Sequence, residues 1–384
     1  MKDGIALRVL HIIPSLAMGG AERLTLDICS ELANRDNVSV CLVLLYEHQL
    51  FVLPTNFVTY HTEAKVKLSI LKKNKKEVGH FLQIVNEFKP NVIHSHLFEA
   101  EILSRAKLFD SILYVTHVHD NMQQLKRLNV GLIPSKVELT NYYERAWILK
   151  KYKKIDNHFI TISNDTDRYI QKNVPSSIAR NRTKLLNAIN FQKFNKHREY
   201  NKDIERIRLI CIGSFVPKKN QLFLLDVLLI LVNKGLDVHL TLVGDGPLRS
   251  ELEDKIEALS LHSYVTLVGN TEQVEFYLSK STIYVHAAIY EPFGLVLLEA
   301  MASGLPVVCV DGKGNRDLIK EGSNGFMLKH INPSEMAAKI IELSSDTMMY
   351  ESISDNAVAF ASQFDLVNYT DRLVDLYTTK LLKI

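Results

Sequence analysis

The stretch that decides the fold is residues 7–33, LRVLHIIPSLAMGGAERLTLDICSELA. Leu7–Ile13 is an apolar run suited to a strand buried on both faces. Pro14, Ser15 and the Gly19-Gly20 pair break it. From Ala21 to Ala33, Leu24, Leu26, Ile28 and Leu32 recur at roughly helical spacing, so the segment reads strand, loop, helix. Val38–Leu45, Asn91–His96, Ile112–His117 and His158–Ser163 follow as further short apolar strands, the last leading into a helix near Thr166–Lys172. Strands alternating with helices predict a doubly wound parallel sheet.

The same grammar restarts near Ile207. Arg208–Ile212 is a strand, Gly213–Asn220 a loop and Gln221–Asn233 a helix. Val238–Val243 ends in Gly244-Asp245-Gly246-Pro247, a strong turn signal. Helix Leu248–Leu259, strands Val265–Val268 and Thr282–His286, helix Leu295–Ser303 and strand Pro306–Val310 complete the series. The polar stretch Lys193–Glu205 reads as the linker. The expected fold class is therefore α/β, with two Rossmann-like doubly wound domains facing a cleft. The first covers 1–200 plus about 365–384, through a C-terminal helix near Asn368–Leu382, and the second covers 205–364. Ligands in such sheets bind beyond the carboxyl ends of the strands.

The chain has 384 residues, 47% apolar and 23% charged, which excludes an intrinsically disordered chain. The four cysteines form no C-x-x-C pair, against a zinc site or disulfide framework and in keeping with a reducing cytosol. No apolar run approaches the ~18 residues of a spanning helix; Leu222–Val232 is short and contains Asp226. The N-terminus resembles a signal peptide only superficially, because Asp3, Arg8 and His11 interrupt it. The expected location is cytoplasmic, with a peripheral position on the inner membrane face in view.

The formal net charge of +3 hides an asymmetry. Residues 1–203 carry 30 basic and 20 acidic residues, and the remainder 16 and 23. Lys65, Lys67, Lys72, Lys73, Lys75 and Lys76 interleave with Val66, Leu68, Ile70 and Leu71. Lys150, Lys151, Lys153 and Lys154 follow Trp147. Such runs suit either a solvated face or an anionic lipid surface, at about 1 kcal/mol per basic residue near the surface. No nucleic-acid motif accompanies them, so nucleic acid is not an expected partner.

The most informative chemistry lies in Glu291-Pro-Phe-Gly-Leu-Val-Leu-Leu-Glu299. It joins a glutamate, a glycine loop and a helix start. The first N–H groups of that helix, near Gly294–Val296, lack intrahelical acceptors and suit a phosphate. Glu299 lies about 7.5 Å further along the helix, a reach that suits a clamp on a ribose diol. Asp165-Thr166-Asp167 is formally a D-x-D, but in SNDTDRYI it reads as a helix N-cap with acids in the first turn. His94, His96, His117 and His119 form two His-x-His pairs, each able to face one way along a strand. No supporting carboxylate or Cys spacing makes them a zinc site, so the expected metal is none.

EPFGLVLLEAMASGLPVV resembles the signature of retaining glycosyltransferases of family 4, which have the GT-B fold. Gly19-Gly20-Ala21-Glu22-Arg23 matches the GGAER of that family's first loop and helix. Ile162–Asp167 matches the segment closing the first domain, and Asn187-Ala-Ile-Asn190 matches N-G-[IV]-D, with Ala188 and Asn190 as departures. Gly213–Asn220 matches G-R-L-x-x-x-K-G and Val243–Pro247 the VGxGP turn. The resemblance covers nearly the whole chain and points to bacterial polysaccharide, O-antigen and capsule-type enzymes. It implies a hexosyltransferase moving sugar from a nucleotide sugar, UDP favoured, to a hydroxyl of a glycan, lipid-linked in many members. It implies neither metal nor cofactor.

The resemblance also implies roles. Glu291, His119 and Lys219 are the catalytic set, with Glu291 positioning the sugar and Lys219 pairing with the diphosphate. Gly19, Gly20, Ser214, Asn270, Phe293, Gly294, Leu295, Val296 and Glu299 bind the donor, its base near Gly269-Asn270. Ser214 stands where the family often has Arg, and Lys218, Arg249 and Arg316 are the nearby cations that would compensate. The alternatives are a GT-B nucleotide-sugar epimerase, which needs a cleft base and no acceptor, and a non-catalytic scaffold, which would have lost Glu291, Glu299 and Lys219. A dehydrogenase lacks the G-x-G-x-x-G after its first strand.

Overall fold

The computed structural model describes residues 6–68, 75–127, 135–196, 203, 204 and 206–384. The chain divides into two compact units, Met1–Asn187 with Leu366–Ile384, and Ala188–Asp365. The expected boundary at residue 200 thus moves to Asn187/Ala188. The reason is local: the Ile189 amide donates to the Phe364 carbonyl at 3.0 Å, and the short helix Phe191–Asn195 packs on the helix Leu295–Ala302. The rest of the expected linker lies mostly outside the described residues.

In chain order, the strands of unit 1 are β1 (Leu7–Ile13), β2 (Val38–Leu44), β3 (Val58–His61), β4 (Lys65–Lys67), β5 (Lys75–Glu77), β6 (Val92–His96), β7 (Leu113–Val118), β8 (His158–Thr161) and β9 (Arg182–Lys184). Seven form one parallel sheet in the order β3-β2-β1-β6-β7-β8-β9, while β4 and β5 pair as a separate antiparallel hairpin. Leu10, Ile12, Ile93 and Tyr114 join the core on one face. Strand residues alternate, so His11 and His94, directly paired in register, share the other face. The C-terminal helix Leu366–Leu381 packs on the helix Gly20–Ala33 of this unit, tied by Arg35 to Asp371, the Val367 carbonyl and Thr370.

Unit 2 holds β10 (Ile207–Ile212), β11 (Val238–Val243), β12 (Val265–Gly269), β13 (Ile283–His286), β14 (Val307–Val310) and β15 (Gly325–Leu328), in the order β12-β11-β10-β13-β14-β15, all parallel. The sequence reading lacked β3, β4, β5, β9 and β15, short strands whose pairing local periodicity does not announce. In both units the first strand sits inside the sheet: β1 between β2 and β6, β10 between β11 and β13. The connections reverse there, and the crevice beyond the carboxyl ends at such a reversal is where open α/β sheets bind ligands.

Candidate active site

At the reversal of unit 2, the loop after β10 meets the loop after β13. Lys219 Nζ lies 2.5 Å from Glu291 Oε2. His286, the last residue of β13, brings Nε2 within 3.0 Å of the same oxygen. Glu291 and His286 are buried, and Lys219 retains 19% side-chain exposure. Burial alone would raise the Glu291 carboxyl, but the Lys219 charge and the His286 hydrogen bond outweigh it and hold it down at about 2. Burial, aided by Lys219, lowers His286 despite its bond to Glu291. The site therefore presents a carboxylate already neutralised by a lysine.

Backbone contacts fix this carboxylate. The Glu291 amide donates to the Gly312 carbonyl at 2.8 Å, and the Gly314 amide donates to the Glu291 carbonyl at 2.9 Å. A Cβ on Gly314 would stand 2.0 Å from the Pro292 carbonyl oxygen, so only glycine allows the approach. On the other side, the Ile289 amide donates to the Lys218 carbonyl at 3.0 Å, anchoring the lysine loop. The turn Gly244–Gly246 packs backbone to backbone on Gly213–Phe215, where a Cβ on Gly244 would meet the Gly213 carbonyl oxygen at 2.3 Å.

Three residues after Glu291, Gly294 adopts φ +105° and starts the helix Leu295–Ala302, whose N-terminus no side chain caps. The amides of Leu295 and Val296 lie in its first turn, and Glu299 is half-buried one turn on. Phe293, the residue before this helix start, has its ring buried, 6.4 Å from that of Phe364. Ser214 is exposed beside this site. Of the cations proposed to replace the family's Arg, Arg249 is paired with Asp245 and Glu253, and Arg316 with Asp311, while Lys218 is exposed. Asn270 is exposed just after β12, where the Gly244 amide donates to the Gly269 carbonyl.

Unit 1 carries a second constellation at its own reversal. His11, His94, His96, His117 and His119 form a buried stack, with ring centroids 4.1 to 5.2 Å apart. His11 Nδ1 lies 2.9 Å from His96 Nε2, and His96 Nδ1 lies 2.8 Å from His119 Nε2. Tyr377, from the C-terminal helix, reaches His94 Nδ1 at 2.6 Å. Burial depresses all five, His11 and His117 to about 3, so the stack is uncharged at neutral pH. Among the described residues, His11, His94, His96 and His96, His117, His119 are the groups whose ligand atoms lie within 4.8 Å of one another. His96 spends both nitrogens on His11 and His119, so a metal at either group would displace those bonds. Gly19, in extended conformation, and Gly20 begin the helix Gly20–Ala33 of the same unit. A Cβ on Gly19 would meet the Glu22 carboxylate at 2.3 Å.

The D-x-D is a cap: Ser163 accepts from the Thr166 amide, while Asp167 binds Arg182 and Thr161 and Asp165 accepts from Asn121. The sequence reading missed His11, His286, Gly312 and Gly314. His11 was visible only as a break in an apolar run, and His286 as a polar end to a strand. Gly312 and Gly314 were legible as a glycine-rich turn after β14.

Two family models cover the two halves. The Glycosyltransferase Family 4 model matches residues 18–183, and the Glycosyl transferases group 1 model matches 192–360. Curated relatives include an uncharacterized glycosyltransferase of Methanocaldococcus jannaschii, 25% identical over 59% of this chain and 63% of that protein. A second is the UDP-Gal:alpha-D-GlcNAc-diphosphoundecaprenol alpha-1,3-galactosyltransferase of Escherichia coli, 22% identical over 80% of each chain. The matches span 63, 46 and 25% of the lengths of the first three such relatives, about half on average. Among solved structures, Anabaena HepE in complex with UDP and glucose superposes with a TM-score of 0.76 at 21% identity, over 97% of this chain and 99% of that one. With two Rossmann-like units, a glycosyltransferase model on each and this shared fold, the chain belongs to the family 4 glycosyltransferases of GT-B fold.

Proposed function

We propose that the protein is a retaining hexosyltransferase that moves a sugar from a nucleotide sugar, UDP favoured, to a hydroxyl of a lipid-linked glycan in cell-surface polysaccharide synthesis. The observation that carries this reading is the Lys219–Glu291 pair beside the uncapped helix start at Gly294. A cation, free helix amides and a carboxylate stand together where a sheet of this kind takes its ligand. Lys219 and the amides after Gly294 bear the diphosphate, Glu299 the ribose, and Glu291 positions the sugar. Gly19, Gly20 and His119, to which the resemblance also gives roles, lie in unit 1. The acceptor oxygen bonds to the anomeric carbon on the face from which the diphosphate oxygen departs, and that oxygen takes the acceptor's proton. Charge developing on the leaving diphosphate falls to Lys219, so no metal ion is needed.

Relatives and neighbours support the reading. Anabaena HepE is seen with UDP and glucose. The Escherichia coli relative is named for a UDP-sugar and a diphosphoundecaprenol acceptor, and relatives of Bacillus subtilis and Staphylococcus aureus for alpha transfer to poly(glycerol-phosphate) and poly(ribitol-phosphate). An alpha product from an alpha-linked nucleotide sugar retains configuration.

The test is transfer from a panel of nucleotide sugars to lipid-linked glycans, with product configuration read by NMR. Lys219→Ala should lower kcat at least about 100-fold. Full activity in both Lys219→Ala and Glu291→Gln overturns the assignment.

No helix among the described residues is long and apolar enough to cross a membrane. We place the protein at the inner membrane face through Lys65–Lys76, of which 69–74 lie outside the described residues. The second lysine run ends the helix Lys136–Lys154, where Lys151 lies over the Trp147 ring. Vesicles with anionic lipid should bind the protein more tightly than neutral ones, and the difference should shrink with salt. Equal binding to both removes the membrane claim.

A further inference from the structure

We infer that His286 is a positioning residue of the donor site, and that it takes up a proton from solvent when Lys219 turns from Glu291 to a bound diphosphate. The inference rests on the reading of unit 2 as a nucleotide-sugar site.

The geometry makes Glu291 Oε2 a shared acceptor. Lys219 Nζ lies 2.5 Å away and His286 Nε2 3.0 Å away. The two donors differ in freedom. His286 is 1% exposed, at the rigid end of β13, in register with Cys309 of β14. Lys219 is 19% exposed, at the end of the single 3-10 turn Pro217–Lys219 after β10, and on a flexible stem. A diphosphate at the helix start near Gly294 draws the lysine and not the histidine.

Departure of Lys219 changes the electrostatics of a buried place. Glu291 is an anion whose partner charge has left, and an uncompensated buried charge is strongly unfavourable. The nearest base is His286. Its Nε2 bears the hydrogen that faces the carboxylate, so Nδ1, buried without a hydrogen-bond partner, is the ring's open basic site. The groups packed around it do not compete. Tyr284, with its ring 6.0 Å away, and the thiols of Cys211 and Cys309 are all pushed up by burial and stay neutral. Glu299 acts on Tyr284, while the charges that act on His286 are those of Glu291 and Lys219. Burial, with Lys219 adding to it, holds the imidazole neutral in the protein without nucleotide; with Lys219 gone, burial still opposes the imidazolium, while the hydrogen bond and charge of Glu291 favour it with no cation to offset them. One proton enters from solvent, and the imidazolium–carboxylate pair keeps Glu291 in place and neutralised while Lys219 serves the diphosphate.

Calorimetry on the full chain tests this with UDP, GDP, ADP and dTDP in buffers of different ionisation enthalpy. The expected result is a binding enthalpy that varies with buffer, corresponding to uptake of a substantial fraction of one proton near neutral pH. Affinity should weaken with rising pH by at most about tenfold per unit. His286→Asn, which keeps an N–H donor but does not titrate, should still bind while losing both dependences. Binding by the wild type without buffer dependence overturns the inference and leaves the donor site standing; this arm needs no variant to fold. Uptake that persists in His286→Asn and vanishes in Glu291→Gln assigns the proton to the carboxylate and also overturns it. Binding of no nucleoside diphosphate overturns the donor-site reading and the inference together.

Discussion

The two units bury polar groups at the same place in the same kind of sheet, and they do so in opposite ways. Unit 1 gathers five imidazoles into a neutral cluster with no carboxylate among its described members; His11, His96 and His119 bind one another, and His94 binds Tyr377. Unit 2 gathers a lysine, a histidine and a glutamate around one oxygen, so its cluster is charged and self-compensated. A neutral stack tolerates the loss of a member; a charged one does not, because the partner left behind stays ionised in a poor dielectric. The neutral stack is vulnerable only to acid, which turns mutual hydrogen bonding into mutual repulsion.

The largest expected effect is therefore acid destabilisation of unit 1. His11 and His117 have folded values near 3 against an ordinary 6.5. The unfolded chain binds those protons first, so their contribution is whole above about pH 6.5 and is lost as pH falls toward 3. Each histidine adds up to about 1.4 kcal/mol per pH unit to that slope. Denaturant midpoints between pH 7.5 and 5 should fall steeply, and His117→Leu should flatten the fall. An unchanged slope in that variant would mean that the stack is not held neutral.

Next comes Lys219→Ala in the ligand-free protein, expected to cost about 3 kcal/mol at alkaline pH, where His286 stays neutral and Glu291 is stranded, and less near neutral pH, where His286 takes up a proton beside it. Glu291→Gln should cost clearly less, because Lys219 is long and exposed enough to reach water. Equal losses would erase the asymmetry between the two partners. The smallest effect is Tyr377→Phe, which leaves His94 Nδ1 without its 2.6 Å partner. It should cost about 1 to 2 kcal/mol by urea titration. A loss as large as that of Lys219→Ala would break the distinction between the neutral and charged clusters.

Much of this was legible from residues near one another in the chain. Leu7–Ile13 with Gly19-Gly20, and Arg208–Ile212 with Gly213–Asn220, announced two strand–loop–helix starts, and both form. SNDTDRYI announced its own cap. Lys219, Glu291 and Glu299 were singled out from motif and spacing, and the fold brings Lys219 onto Glu291. The motif placed Phe293 at the helix start but did not reveal that its ring turns inward toward Phe364. The basic run near Lys65 showed charge but not the hairpin that carries part of it.

By itself, the sequence determined the class of fold, the restart of the second unit, the family and the loops that hold the chemistry, because all of these are written in local periodicity and short motifs. Only the tertiary structure decided that His11 joins four histidines from β6 and beyond, and that His286 shares an oxygen with a lysine 72 residues away from that glutamate. Parallel strands are joined through long crossovers, so neighbours in the sheet are strangers in the chain. Which side chains meet at the carboxyl ends is fixed by strand order and register, and neither is local.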